Sequence, residues 1–200
     1  MVGSLLRSAP VKEARAKVAA GEIGQAELTA IEDEEIRKLV RKQEEVGLQA
    51  VTDGEFRRAF WHFDFLDGLS GVTSFETDSG IQFKGVTTKG HAVRVTGKLD
   101  FPDDHPHLAH FKFLASTTSR VPKMTIPSPS MLHYRGGRKA IDPSAYLRIE
   151  DYYEDLGKAY AKAIKAFYDA GCRYLQLDDT SLSYFCDPEQ RKMLAERGDD

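Results

Sequence analysis

Cysteine is scarce: Cys172 and Cys186 are the only two in 200 residues. Two thiols give neither a disulfide framework nor the spaced thiolates of a zinc finger. No apolar run reaches the roughly 18 residues of a membrane-spanning helix, and the N-terminus lacks the apolar core of a signal peptide. Charge is not lopsided either. The 28 basic and 31 acidic residues leave a net charge of −3, so no basic field points to nucleic acid or an anionic membrane. A glycine-rich phosphate fingerprint is also missing. With 41% hydrophobic and 30% charged residues, the chain fits neither a disordered nor a collagen-like class. The expectation is a soluble, cytoplasmic globular protein forming one domain or part of a larger one.

The stretch that organises the rest is Val51-Thr52-Asp53-Gly54-Glu55-Phe56-Arg57-Arg58, followed by Ala59-Phe60-Trp61-His62. A short apolar lead-in over residues 48–51 reads as a buried strand. It runs into an Asp-Gly turn, and the acids fall just past its C-terminal end, where α/β sheets and barrels bind ligands. Glu55 could hold a cationic group, and Arg57 or Arg58 a carboxylate or phosphate in a bidentate grip. The plainer reading is a turn with a surface acid and two solvated arginines.

Residues 12–20 are expected to be helical, ended by Gly21. The next helix is clearer: Leu28, Ile31, Ile36, Leu39, Val40 and Val46 keep the 3.6 period, and Gly47 closes it. Its acidic run, Glu32 to Glu35, reads as a solvated face. Over residues 68–101 the texture changes. Gly68, Gly71, Gly80, Gly85, Gly90 and Gly97 punctuate it, and Val93, Val95, Leu99 and Phe101 alternate with polar residues, which predicts an inserted antiparallel excursion. His105, His107 and His110 read as surface histidines in a Pro102/Pro106 loop rather than as a metal set.

A strand over 123–126 leads into the rigid Pro127-Ser128-Pro129-Ser130 loop and then Met131-Leu132-His133-Tyr134. Asp142 and Pro143 look like an N-cap and first helical residue. A helical region follows, interrupted near Glu150, with Tyr153, Leu156, Tyr160, Ala163, Ile164 and Phe167 on one face and Gly171 at its end. A strand over 172–177 ends in Asp178-Asp179, with Cys172 at its entrance in a structural role. Asp187-Pro188 opens a last helix to about Arg197.

Ser4, Asp53 to Glu55, the 127–130 loop and Asp178-Asp179 are thus four polar strand ends with helices between them. Met1-Val2-Gly3 reads as the tail of the first strand. Four βα units make half of a (β/α)8 barrel, which explains polar chemistry gathered on one face. A doubly wound sheet is the runner-up.

In order and spacing, Val-Gly-Ser, Thr-Asp-Gly-Glu-Phe-Arg-Arg, Lys-Met-Thr-Ile-Pro-Ser-Pro-Ser and Leu-Gln-Leu-Asp-Asp resemble the cobalamin-independent methionine synthase family, closest to its short single-barrel relatives. The resemblance covers nearly all 200 residues. It implies a (β/α)8 barrel that moves a methyl group from a methylated folate to the thiol of homocysteine, with zinc holding that thiol as thiolate. Gly3 and Ser4 match the Ile-Gly-Ser that contacts the amino acid. Glu55 matches the acid of His-Gly-Glu and Asp178 that of Gln-Ile-Asp-Glu; these two would hold the ammonium group. Residues 127–134 match the loop near the folate, with Tyr134 in place of a stacking Trp. Asp53, Arg57, Trp61, Ser128 and His133 are weaker substrate-binding candidates beside them.

The departures bear on chemistry. The family's zinc ligands are a His-x-Cys pair, a Glu and a later Cys, and no such set exists here; Cys186 matches none of them. Tyr184 stands about where the family has a further acid. The resemblance therefore makes residues 1–200 the N-terminal portion of one barrel domain, with zinc ligands and catalytic residues outside it. A half barrel exposes sheet edges, to be covered by a C-terminal half or by a second copy in a homodimer. Two other functions fit the same residues: a relative using another thiol, such as a coenzyme thiol, and an incomplete barrel that only binds or assembles. Glu55 and Asp178 together lean against a thiol without an amino group.

Overall fold

The computed structural model describes residues 2–77, 82–83, 86–87 and 90–198. Along the chain run α1 (Ala9–Ala19), α2 (Gln25–Glu45), β1 (Ala50–Val51), α3 (Phe63–Leu66), β2 (Ser70–Thr77), β3 (Gln82–Phe83), β4 (Val86–Thr87) and β5 (Gly90–Asp100). Then follow α4 (Pro106–Ser116), β6 (Val121–Pro127), two 3₁₀ turns at Pro129–Leu132 and Gly137–Ala140, α5 (Ile149–Asp169), β7 (Tyr174–Asp178), α6 (Ser181–Tyr184) and α7 (Pro188–Arg197). The result is a mixed α/β structure in two compact units, and its helices alternate with a three-stranded sheet in the order β1-β6-β7.

The first unit comprises Met1–Trp61, Pro106–Thr125 and Ala166–Gln176. Its core joins Val11, Ile36, Val40, Val51, Phe56 and Leu114, with Leu5, Leu39 and Phe113 packed against it. The 3.6 period of α2 supplies Leu28, Ile36 and Val40, and Gly47, at φ +86°, provides the left-handed residue that ends the helix. Strand β1 is only two residues long and pairs in parallel with β6, Ala50 opposite Val121 and Val51 opposite Pro122. Its exit is pinned to α2 instead: the Gln43 amide donates to Thr52 O at 2.8 Å and accepts from Thr52 N–H at 3.0 Å.

Three expectations change here. No strand forms among described residues 2–8, so the sheet has three strands where four strand ends were counted; Leu5 N–H bonds to Gly54 O instead. The acidic run of α2 is not a solvated face, because Glu32 and Glu35 are buried. Burial lifts the Glu32 carboxyl above its ordinary range even beside Arg15 and Arg57. His107 is buried too, on a helix that Pro106 opens rather than in a loop.

The second unit comprises His62–His105, Ile126–Lys165 and Leu177–Asp200. The antiparallel excursion is present: β2 pairs with β5 from Thr77–Gly90 back to Ser70–Asp100, with a bulge between Ser70 and Val72. Gly71 sits in that bulge at φ +79°, close against the backbone of Gly97 and Lys98. Gly80 and Gly85 lie outside the described residues. The alternation in β5 buries Val93, Val95 and Leu99, with Phe101 just beyond. Phe65 lies 6.1 Å from Phe101 and 5.8 Å from Tyr160, ring centre to ring centre. His105 completes this cluster at 4.8 Å from Phe101, so it is a core residue and not a surface histidine.

Helix α5 begins at Ile149, not at Asp142. Residues 142–146 form a turn in which Asp142 accepts from Ser144 N–H, while Asp142 N–H is taken by Val95 O at 2.8 Å. Within the unit its inner face carries Tyr152, Leu156, Ala159, Tyr160 and Ala163; Tyr153 and Ile164, expected on it, are about half exposed at 49% and 44%. Helix α7 starts where expected, with Asp187 accepting from Glu189 N–H at 2.9 Å, Pro188 first and Gly198 at φ +75° after Arg197. Among the described residues no helix is long and apolar enough to cross a membrane.

Candidate functional site

Beyond β1 the chain turns through Thr52-Asp53-Gly54-Glu55 with two consecutive left-handed residues. Gly54 has φ +68° and Glu55 φ +58°; among the described residues Glu55 is the only non-glycine with positive φ. A residue with a Cβ in that conformation costs on the order of 1–2 kcal/mol, which the surroundings must offset. They do so with hydrogen bonds. Asp53 Oδ1 accepts from Glu55 N–H at 2.9 Å, and Thr52 Oγ1 accepts from Gly54 N–H at 3.2 Å. Arginines from α1 and its approach hold the carbonyls: Arg7 donates to Arg58 O at 2.5 Å and to Glu55 O at 3.3 Å, and Arg15 to Phe56 O at 2.6 Å and Arg58 O at 2.9 Å.

The Glu55 side chain points inward and is 3% exposed. Its Oε1 accepts from Thr125 Oγ1 at 3.0 Å and lies 3.6 Å from Arg58 Nη1. Gly3 closes the same pocket of backbone. Its carbonyl accepts from Thr52 Oγ1 at 2.8 Å, and a Cβ built on it would stand 2.7 Å from Thr125 and 3.1 Å from Glu55 Oε1. Only glycine fits this approach. Of the sequence-predicted residues, the first unit thus brings together Gly3, Asp53 and Glu55, while Ser4 is exposed beside them. Trp61 is half-buried and contributes its carbonyl to Arg58 at 3.1 Å.

The two arginines are not solvated. Arg57 pairs with Asp33 and Glu32 and lies 4.8 Å over the Phe113 ring. Arg58, 2% exposed, donates to Thr125 O at 2.5 Å as well as to Trp61 O. Their partners are internal. Thr125, Arg7 and Arg15 were not foreseen as site residues; Thr125 alternates with the apolar Met124 and Ile126, a pattern that says nothing of Glu55.

In the second unit, Ser128 N–H donates to Asp178 O at 2.8 Å, which joins the rigid loop to the end of β7. Asp179 is occupied by that loop and by α6: it accepts from Ser181 N–H and Oγ at 2.8 and 2.7 Å and from Ser130 Oγ at 3.1 Å. Burial pushes its carboxyl up, and these hydrogen bonds outweigh that and hold it below its ordinary range. His133 bonds through Nδ1 to Tyr152 OH at 3.0 Å. Tyr134 lies 5.0 Å from Tyr184, ring to ring, and burial followed by that neighbour raises its phenol.

Two cavities adjoin these residues. One of about 690 Å³ is lined by His133, Tyr134, Arg138, Tyr153, Phe185 and Arg197. The other, of about 320 Å³, has an apolar floor including Phe63, Phe75 and Leu132 and a rim of Arg94, Arg135 and Lys139. Three cations over apolar walls suit an anion with an apolar or aromatic body. Among the described residues no three His, Cys, Asp or Glu side chains are grouped so as to hold a metal ion. Cys172 is buried and Cys186 exposed. The donors among the described residues therefore do not fit a zinc centre.

Known proteins carry similar sequences and folds. The family model of the cobalamin-independent synthase catalytic domain matches residues 1–192. YxjH of Bacillus subtilis is 54% identical over 200 residues, all of this chain and 52% of YxjH. A 5-methyltetrahydropteroyltriglutamate–homocysteine methyltransferase from Thermosynechococcus vestitus is 33% identical over 170 residues, 82% of this chain and 22% of that protein. A crystal structure from Listeria monocytogenes, provisionally named as a vitamin-B12 independent methionine synthase, superposes with a TM-score of 0.78 at 49% identity, over 93% of this chain and 52% of that one. The chain spans about half the length of YxjH and of the Listeria protein.

Proposed function

This chain belongs to the family of the cobalamin-independent synthase catalytic domain, and from that premise we propose that it supplies the amino-acid-binding part of a methyltransferase acting on homocysteine. The methyl donor is a methylated folate, and the product is methionine. Residues 1–200 are read as the N-terminal portion of a single (β/α)8 barrel domain, contributing about its first four βα units. The zinc that activates the thiol in this reading is held by residues outside this chain.

The observation that carries the proposal is Glu55. Its carboxylate is buried, tethered by Thr125 and Arg58, and placed on a strained turn beside a glycine that leaves room for nothing larger. Strain and burial of an acid at a strand end suit a ligand-binding carboxylate. In the proposal Glu55 receives the ammonium group of the amino acid, and Gly3 and Ser4 line its approach. Asp178 is assigned an ammonium contact as well, and Tyr134 a stacking contact with the folate. The cationic rim of Arg94, Arg135 and Lys139 supports an anionic donor. Asp53, Arg57, Trp61, Ser128 and His133 are the weaker substrate-binding candidates in this reading.

The test is the effect of Glu55→Gln and Asp178→Asn on the apparent affinity for homocysteine. Each is expected to weaken it by at least tenfold, or about 1.4 kcal/mol, with the donor's affinity unchanged. Unaltered homocysteine binding in both variants would remove the assignment. Equal affinity for homocysteine and a thiol without the amino-acid part would favour the coenzyme-thiol alternative.

A further inference from the structure

We propose that Arg58 and Thr125 are positioning residues that hold the Glu55 carboxylate in the orientation that selects a thiol bearing an α-amino group over one without it. The inference rests on the reading of Glu55 above and deepens it. Both residues engage the same carboxylate oxygen, Oε1: Thr125 Oγ1 donates to it at 3.0 Å, and Arg58 Nη1 stands 3.6 Å away.

The two are also locked to one another. Arg58 Nη2 donates to Thr125 O at 2.5 Å, and Nη1 donates to Trp61 O at 3.1 Å. With Nη1 and Nη2 both committed to carbonyls, the guanidinium is held back from a close fork on Glu55. This spacing matters. A buried carboxylate far from any cation is driven to its neutral form, and one in a tight bidentate pair has little attraction left for a ligand's ammonium. At 3.6 Å the arginine supplies charge without closing the pair. The threonine hydroxyl then fixes the direction of Oε1, so a freely rotating carboxylate does not collapse onto Arg58. The Glu55 backbone is already set by Asp53 Oδ1 and Arg7, and Arg58 N–H donates to Glu55 O at 3.1 Å.

The experiment titrates the protein with L-homocysteine and with 4-mercaptobutanoate, the same thiol without the amino group, and reads the ratio of the two affinities. Thr125→Val and Arg58→Gln are each expected to cut the preference for homocysteine about tenfold while leaving 4-mercaptobutanoate unchanged. Thr125→Ser, which keeps the hydroxyl, should restore the preference, and Arg58→Lys should restore part of it. A merely structural role would weaken both thiols together and leave the ratio intact, which overturns the proposal. Glu55→Gln separates the two levels. If it leaves the ratio unchanged, the reading of Glu55 fails and the positioning falls with it. If it abolishes the preference while the Thr125 and Arg58 variants keep it, only the positioning falls. Should Arg58→Gln fail to fold, the Thr125→Val and Thr125→Ser pair decides alone.

Discussion

Arg57 Nη1 stands 3.6 Å from Glu32 Oε2, with the two side chains only 8% and 5% exposed. Asp33 binds the same guanidinium, and Phe113 lies beneath it. Removing one member of a buried pair typically costs about 3–5 kcal/mol, and here the low end applies because Arg15 still faces Glu32 at 3.2 Å. Arg57→Ala is therefore expected to lower stability by about 3 kcal/mol, read as a shift in the urea midpoint. A loss within about 0.5 kcal/mol, the usual range for a surface residue, would show that Arg57 is not structural.

Gly3→Ala tests the cradle around Glu55. The added carbon would meet Thr125 and Glu55 Oε1 at 2.7 and 3.1 Å, so the threonine–carboxylate hydrogen bond must shift. Homocysteine affinity is expected to fall about tenfold or more. The same change at Gly24, where a Cβ meets nothing within 4 Å, should leave it unaltered. Calorimetric titration of both variants makes the comparison.

His62 makes stability depend on pH. Burial first, then the charges of Arg135 and His91, bring its pKa down from 6.5 to about 4. The folded protein thus binds this proton less readily than the unfolded chain. Its contribution is complete above the unfolded pKa and is lost as pH falls from 6.5 towards 4, by on the order of 2–3 kcal/mol. In His62→Gln the difference between urea midpoints at about pH 7 and about pH 4.5 should shrink. An unchanged difference would assign the acid sensitivity elsewhere.

Tyr146 is a buried hinge of hydrogen bonds: its hydroxyl accepts from Leu99 N–H at 2.8 Å and donates to Asp155 Oδ2 at 3.0 Å. Burial, with Asp155 adding to it against the opposing Leu99 N–H, pushes the phenol up to about 12. Tyr146→Phe is expected to cost about 1–3 kcal/mol, because a buried N–H loses its acceptor. Thermal denaturation checks this, and a midpoint equal to that of the unaltered protein would contradict it.

How much of this was legible follows from range along the chain. Helices α2 and α7 show in the sequence because their periodicity and caps are local, down to Gly47 and Asp187. The start of α5 does not. Asp142-Pro143 has the chemistry of a helix cap and of a turn alike, and the hydrogen bond from Asp142 N–H to Val95 O selects the turn from 47 residues away. Burial of His105 likewise depends on Phe65 and Phe101 and leaves no local trace. At the candidate site, Glu55 shows in the sequence as an acid just past a strand end, and its pairing with Gly3 comes from a resemblance of short segments. Arg7, Arg15 and Thr125, which hold the turn, could not be found so, because their roles are carried by backbone carbonyls and one hydroxyl. The arginine pair Arg57-Arg58 was misread for the same reason: its partners Asp33 and Thr125 lie 24 and 67 residues away.

The two thiols differ in a way that furnishes an internal clock. Cys172 is 4% exposed, and burial raises its pKa above the usual thiol range, whereas Cys186 is exposed. An aromatic disulfide reagent should therefore discharge two chromophores per chain on separate timescales, since attack requires an accessible thiolate. The quick phase, from Cys186, calibrates the reagent in each sample. The slow one counts how often the neighbourhood of Cys172 opens, so a single absorbance trace converts local breathing into a rate without any label being added.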